Sequence, residues 1–371
     1  MAMYLNIRRI NEDIIAIDFP KPVEVVSTLK TVSINNSEPT IIRHAIFKHV
    51  ESNFHVDNIV EYYLKILKEL DIESGIVFLT AVPMDKLLHV EGYLSEIVMT
   101  IGLEPPVCIR YNQLYEPLRM GTINILIYVD LPLSKEAMVD LLKTAIEAKV
   151  VASSDLLLRC KSRAVGTVTD AIAVARPYGL DGGVLFSGMA TSIGNSVANI
   201  VYNSIISVGI RNGIEWLLKN CIGYSMEEFL ELFRNIYAST PIPNISLEKA
   251  IEKARKILHR ILKDPNVWSF IIAARELDLH GSSGTVPGLT TDEYSSDTIK
   301  IVADELLGIS LALYVGGANA MFAMYWIENM KKIGKLKYNG AGLYIDDIIS
   351  AILGSLYTLL INEIDRGSSN E

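Results

Sequence analysis

The sequence predicts two domains: an N-terminal α+β or α/β domain over 1–215, followed by an all-helical domain over 216–371. Three observations carry this. The 371-residue length exceeds what one hydrophobic core usually supports. Short β-branched runs alternate with helical patterns through roughly the first 190 residues and then stop. Where the pattern changes stand "GIRNGIEWLLKNCIGYS" and the proline-rich break "TPIPNIS", which put the boundary near Gly213–Gly223. The mixed order of elements leaves the topology of the first domain open.

Taken in order, "DIIAIDF", "VVSTLKTVSI", "GIVFLTAV", "VCIRY", "INILIYVD", "DAIAVARP" and "GVLFSG" read as strands. "HVDNIVEYYLKILKELDI" has apolar residues at helical spacing, and "LSKEAMVDLLKTAIEAKVVASSDLLL" opens with a Ser134 cap and Glu136 in its first turn. After "ATSIGNSVANIVYNSIISVGIRNG" only helices remain: "SMEEFLELFRNIYAS", "SLEKAIEKARKILHRIL", "NVWSFIIAAREL" and two long apolar runs fronted by acids. No internal repeat is present.

Half of the residues are hydrophobic and 21% are charged, so nearly the whole chain is expected to fold, apart from the tail "DRGSSNE". A net charge of −9 argues against a nucleic-acid partner, which calls for a basic face. Cys108, Cys160 and Cys221 match neither a zinc spacing nor a disulfide framework, so packing roles in a reducing compartment are expected. The N-terminus has no apolar run of signal-peptide length, and a cytoplasmic location follows as the expectation. Leu306 to Ile327 is uncharged and long enough to span a bilayer, but Gly308, Gly316, Gly317 and Asn319 along it argue against a span.

In the second half, Asp304-Glu305 stand at the mouth of one apolar helix and Asp346-Asp347 at the mouth of the next. Acids at a helix start offset the helix dipole, and either pair alone is a routine cap. Two pairs from different helices, with Glu328 and "KKIGK" after it, offer the oxygen donors that magnesium takes alongside phosphate oxygens. The preceding "LHGSSGTVPGLTTDEYSSD" supplies Gly281, Ser282, Ser283, Gly284 and Thr285 as candidate phosphate donors, with no Walker lysine among them.

"ADELLGISLALYVGGANAMF", then Glu328 and Lys331, then "LYIDDIISAILG", closely resembles the phosphatidylglycerophosphatase A-like fold and, within it, the archaeal α-ribazole phosphatases. The resemblance covers roughly Ser225 to Glu363. It implies that Asp304, Glu305, Asp346 and Asp347 are metal-site residues, that Lys331 contacts phosphate, and that Mg2+ assists hydrolysis of a phosphomonoester; Glu328 joins the metal candidates, and Ser283 and Gly284 the phosphate candidates, by their placement in the sequence. One step departs from the family, which has an aspartate followed by Lys-Pro where this chain reads Glu328-Asn-Met-Lys331-Lys332.

In the first half, "VGTVTDA" sets Gly166, Thr167, Thr169 and Asp170 at the entrance to an apolar strand. A polar turn explains them; so does a cleft in which Asp170 acts as a general base or orients one. Glu147 and Lys149 lie on a well-patterned helix, where a solvated salt-bridge face is expected. Thr122 and Asn124 open a strand, in either edge hydrogen bonding or a site. No Gly-X-Ser-X-Gly elbow, Cys–His pairing or HExxH helix is present.

"GTINILIYVD", "TAIEAKVVASSDLL", "AVGTVTDAIAVARP" and "FSGMATSIGNSVANIVYNSI" together resemble the adenosylcobinamide amidohydrolase family over about residues 20 to 212. Where that family carries an Asn-His-Gln triplet, this chain has Asn36-Ser37-Glu38 and later "FKHV", so either His49 substitutes for the histidine by a one-residue shift, or the amidase step is impaired or uses other groups. The resemblance makes His49, Asp170, Thr167, Thr169, Glu147, Thr122 and Asn124 the catalytic candidates; His44, His55, His89 and His259 rank below His49.

Together the two resemblances imply a bifunctional cobamide-salvage enzyme. It would hydrolyse adenosylcobinamide to adenosylcobyric acid and aminopropanol, and dephosphorylate α-ribazole 5′-phosphate or adenosylcobamide 5′-phosphate. The corrinoid is a substrate here, the partners are small molecules, and a homo-oligomer is compatible. The rivals are a lipid phosphatase with an accessory domain and a corrinoid carrier with an inactive amidase domain.

Overall fold

A computed structural model describes residues 5–35, 39–109, 121–180, 182–298, 300–338 and 340–368. The chain divides into two compact units, Met1–Gly209 and Ile210–Glu371.

The first unit is a mixed β-sheet with helices. In chain order it runs β1 (Asn6–Arg9), β2 (Ile14–Ser27), β3 (Thr31–Ser33), β4 (Ile41–His49), α1 (Ile59–Glu69), β5 (Ser74–Thr80), β6 (Leu88–Gly92), β7 (Ser95–Ile101), β8 (Pro106–Cys108), β9 (Ile123–Val129), α2 (Lys135–Asp155), β10 (Ala164–Thr167), β11 (Ala171–Pro177) and α3 (Ser192–Arg211). Among the described residues one sheet has the order β3-β5-β4-β2-β11-β9-β7-β6, with β1 on β2, and β8 pairs β10 separately. Two expected runs, "DIIAIDF" and the start of "VVSTLKTVSI", form one strand, because β2 continues through Pro20 and Pro22 with a register shift between Asp18 and Val23.

That shift lets the sheet fold over on itself. One core cluster takes Ile15 and Ile17 from β2, Phe47 from β4 and Phe78 from β5, together with Val98 from β7, Leu126 and Tyr128 from β9 and Ala173 from β11. Strands far apart in the sheet order therefore meet, as β5 and β9 do, while Phe47 and Phe78, side by side on the neighbouring strands β4 and β5, stack at 4.6 Å between ring centres. Tyr63, Ile66 and Leu67 of α1 cover the outer face of β4 and β5. On the other side α2 packs against β10 and β11, its N-terminus capped by Ser134 as the sequence predicts (Ala137 N to Ser134 Oγ, 3.1 Å).

Three readings are corrected. "GVLFSG" is no strand: Val184 makes a single bridge to Leu133, and the Ser187 amide is taken by Asp140. "VCIRY" is extended only over Val107 and Cys108, with Arg110 and Tyr111 outside the described residues. Strands β1, β4, β6, β7 and β10 went unread, β4 because Arg43, His44 and Lys48 interrupt its apolar run.

The second unit is all-helical: α4 (Ile214–Cys221), α5 (Met226–Ser239), α6 (Leu247–Ile261), α7 (Pro265–Ser283), α8 (Thr291–Ser295), α9 (Ala303–Lys332) and α10 (Leu343–Ser368). Ser225 and Glu228 form a reciprocal capping box that starts α5. At the centre lies α10, packed by α6, α7 and α9; its apolar residues from Tyr344 to Leu360 are buried on nearly every side, as befits a helix surrounded by others. Helix α9 is interrupted at Gly317, whose φ of 72° and ψ of −163° are non-helical. By length and composition Ser192–Arg211, Ala303–Lys332 and Leu343–Asp365 are each long and apolar enough to cross a membrane.

Candidate functional site

Successive side chains of a strand alternate between faces. In the first unit Ala45 and Phe47, Ile76 and Phe78, Leu126 and Tyr128 face the enclosed core. The same alternation continues at one end into polar residues: His49 on β4, Thr80 on β5, Thr100 on β7, and Thr122 and Asn124 on or beside β9. Register confirms the grouping, with His49 opposite Thr80 and Thr100 opposite Asn124. The Asn124 amide closes the two layers by donating to the Leu79 carbonyl at 2.8 Å. Asn124 Oδ1 and Thr100 Oγ1 are buried there without a hydrogen-bond partner.

His49 sits at the edge of this polar end, partly exposed. Its Nδ1 lies 3.2 Å from Asp13 Oδ1, and its backbone N–H donates to the Asp13 carbonyl at 2.8 Å. The carboxylate that orients His49 is thus Asp13, not Asp170. Asp13 went unnoticed because it lies 36 residues away in sequence and no motif links the two. The displaced triplet Asn36-Ser37-Glu38 lies outside the described residues.

Asp170 is instead the hub of a neighbouring network. Its Oδ1 accepts from the Ile123 amide at 2.9 Å and from the Thr167 hydroxyl; its Oδ2 accepts from the Thr167 amide at 3.0 Å and from Lys149 Nζ. Four donors saturate a carboxylate. With no lone pair left for a substrate proton, Asp170 fits a positioning role better than that of a general base. Lys149, expected on a solvated face, is buried in this ion pair, while Glu147 two residues earlier is exposed as expected. Gly166 crosses over the pair with a φ of 142°, where a Cβ would run into both Asp170 and Lys149. Thr122 and Thr169 bond each other at 2.8 Å, and Thr169 donates to the Gly121 carbonyl at 3.1 Å.

Beside this network Cys108 of β8 and Cys160, expected as separate packing cysteines, are joined in a disulfide with Cα atoms 5.7 Å apart. The β8–β10 pairing brings them together across 52 residues, a separation without a sequence signal. Cys221 is buried and forms no disulfide among the described residues.

In the second unit a cleft of about 700 Å³ is lined by Asp304, Glu305, Glu328, Lys331, Asp346 and Asp347, so both acidic pairs reach one cavity. Helix α10 is aimed at it by Asp278, a buried carboxylate the sequence reading passed over. It accepts from the Tyr344 and Ile345 amides at 2.9 and 3.1 Å and from the Tyr294 hydroxyl at 2.7 Å. That side-chain cap needs Gly342, because a Cβ there would meet the Asp278 carboxyl. Lys331 Nζ lies 2.9 Å from both Glu328 oxygens, contacts Asp346, and stands 4.9 Å from the centre of the Tyr338 ring. Burial opposes its charge, but Asp346 and Glu328 outweigh burial and hold it above the usual lysine range.

Among the described residues no group of three or more His, Cys, Asp or Glu side chains is arranged to hold a metal ion. The lysine ammonium between Glu328 and Asp346 is the physical reason, since it already neutralises two of the acids. Asp304 and Asp347 are left. Burial raises Asp304, whose Oδ1 has no partner, and burial followed by the charges of Glu328 and Asp304 pushes Asp347 up to about 8.

The expected phosphate loop differs from its sequence reading. Ser283 belongs to the last turn of α7 and Gly284 is its left-handed C-cap. Ser282 Oγ donates within that helix to Leu279 O, and the Thr285 hydroxyl bonds His280. A helix C-terminus presents carbonyls and the negative end of the dipole, which disfavours phosphate. Gly284 lines a separate pocket with Thr290 and Lys300.

Raised carboxylates have a consequence for stability. Between the ordinary carboxyl value near ~4 and about 8, folded Asp347 keeps a proton that the unfolded chain releases, so its contribution to stability falls as pH rises through that window. With chelator present, Asp347→Asn is expected to stabilise the protein by on the order of a few kcal/mol at pH 9 and by almost nothing near pH 4. Urea unfolding at both pH values measures this, and a difference independent of pH would contradict it.

Comparison with known proteins gives a family for the first unit. A family model described as adenosylcobinamide amidohydrolase matches residues 3–213. An uncharacterized protein of Methanocaldococcus jannaschii is 30% identical over 112 residues, 30% of this chain and 84% of that protein. Among solved structures, the low temperature requirement C protein from Listeria monocytogenes aligns with 42% of this chain and 97% of its own at 18% identity and a TM-score of 0.34. Protein ypjQ from Bacillus subtilis likewise aligns over 42% and 97%, at 15% identity and a TM-score of 0.35.

Proposed function

Because the chain belongs to the adenosylcobinamide amidohydrolase family, we propose that its first unit cleaves the amide of adenosylcobinamide at the polar end of the folded sheet, releasing adenosylcobyric acid and aminopropanol. The observation that carries the reading is the Asp13–His49 contact. With Asp13 accepting from Nδ1–H, Nε2 remains as the base. In the proposed reaction Nε2 takes a proton from water as its oxygen adds to the carbonyl carbon. The proton then passes to the amine as the C–N bond breaks. Thr100 and Asn124 add a hydroxyl donor and a carbonyl acceptor, the complement of a secondary amide's C=O and N–H. Asp170 and Lys149 hold β9 and the Thr167 turn in place from behind.

For the second unit we propose phosphomonoester hydrolysis, of α-ribazole 5′-phosphate or adenosylcobamide 5′-phosphate. Support comes from six acids, Asp297 among them, and from Lys331 and Lys332 around one cleft. The oxygen-only donor set suits Mg2+, and the orphaned Asp304 Oδ1 is a ligand atom without another role. Asp304 and Asp347, the two carboxylates Lys331 leaves unpaired, would hold the ion together with phosphate oxygens and water, and the ion when bound would offset phosphoryl charge. Lys331, kept cationic by its neighbours, attracts the phosphate. Asp304→Asn is expected to reduce phosphate release by at least about 10²-fold, as loss of an electrostatic stabiliser does. Near-wild-type turnover at saturating magnesium would leave Asp304 as a helix cap only.

A further inference from the structure

Helix α9 packs one face on α10 through Leu311, Ala312, Ala320, Met324 and Ile327 and turns Asp304, Glu328 and Lys331 toward the cleft. A third face is bare. Val302, Leu306 and Leu313 before the Gly317 break, and Phe322, Tyr325 and Ile333 after it, are each between 45% and 64% exposed. Leu306 and Leu313 are seven residues apart and Phe322 and Tyr325 three, close to whole turns, so each half of α9 presents a stripe, with the caps Val302 and Ile333 at its ends. We propose that this face of α9 is the surface on which two copies of the chain associate.

Area and charge both favour a second copy. Six half-exposed side chains of this size offer on the order of 600 Å² per chain, the upper end of the roughly 300–600 Å² that a monomer leaves as its largest apolar patch and the size at which such patches are often functional. Two such faces bury about 1,200 Å², the lower bound of a stable interface. A two-fold interface meets itself, so like charges on it repel; between Glu305 and Glu328 the sequence has none. A lipid surface fits less well. An interfacial helix carries Lys and Arg on its polar face, whereas α9 has no basic residue from Asp304 to Trp326.

The test is the mass of the full chain by light scattering at micromolar concentrations, alongside L313E/F322E and the milder F322S, with circular dichroism to establish folding. Tyr325 is left alone because it also borders the cleft. Wild type is expected at twice the 41.1 kDa chain, and the double variant at 41.1 kDa. F322S should weaken the dimer at least about thirtyfold, as loss of an interface anchor does. Monomeric wild type at tens of micromolar would overturn the proposal. So would a folded L313E/F322E that remains dimeric, or a monomer that floats with phosphatidylglycerol vesicles.

Discussion

Alanine at His49 is expected to cut release of aminopropanol from adenosylcobinamide by about 10²- to 10⁴-fold while leaving corrinoid affinity near that of wild type, because a proton-transfer group acts on the chemical step. The loss should fall on kcat, with KM little changed. Asp13→Asn should reproduce part of it. Asparagine still bonds Nδ1 but no longer fixes the tautomer or stabilises the imidazolium that forms during proton transfer, so the loss is expected in kcat rather than in corrinoid affinity. An undiminished kcat in His49→Ala would remove this residue from the site and return attention to the threonines.

The second large effect concerns stability. Lys149→Met leaves the Asp170 carboxylate buried among donors that no longer balance its charge, and breaking a buried pair from one side typically costs about 3–5 kcal/mol. Asp170→Asn is expected to cost a similar amount, since it also strands Lys149 and weakens the bonds to Thr167 and Ile123. The double variant Lys149→Met, Asp170→Asn should lose clearly less than the sum, the mark of direct coupling. Urea unfolding of the four proteins measures the cycle. Single variants within about 0.5 kcal/mol of wild type would make the pair a solvated surface bridge.

Much of the fold was legible because it is local. Caps such as Ser134 and the Ser225–Glu228 box, the periodicity of α1 and α5, and the continuous apolar runs of β5, β9 and β11 are written within a few residues. The convergence of Asp304, Glu305, Asp346 and Asp347 on one cleft was legible as well, since each pair opens a helix and the two helices pack together. Less local features were missed for a common reason. The Asp13–His49 contact depends on β2 pairing with β4, the Cys108–Cys160 bond on β8 pairing with β10, and the Asp278 cap on α7 packing against α10. Lys149 misled because its neighbours on α2, Glu147 among them, are solvated; only the approach of the Gly166–Asp170 turn buries it.

The central claim is that the first unit is a working amidohydrolase with His49 at its chemistry. Incubating the full chain with adenosylcobinamide and separating the products by mass spectrometry tests it most directly. The account predicts equimolar adenosylcobyric acid and aminopropanol from wild type and neither from His49→Ala. Corrinoid that stays bound but uncleaved by wild type would contradict it and identify the unit as a carrier.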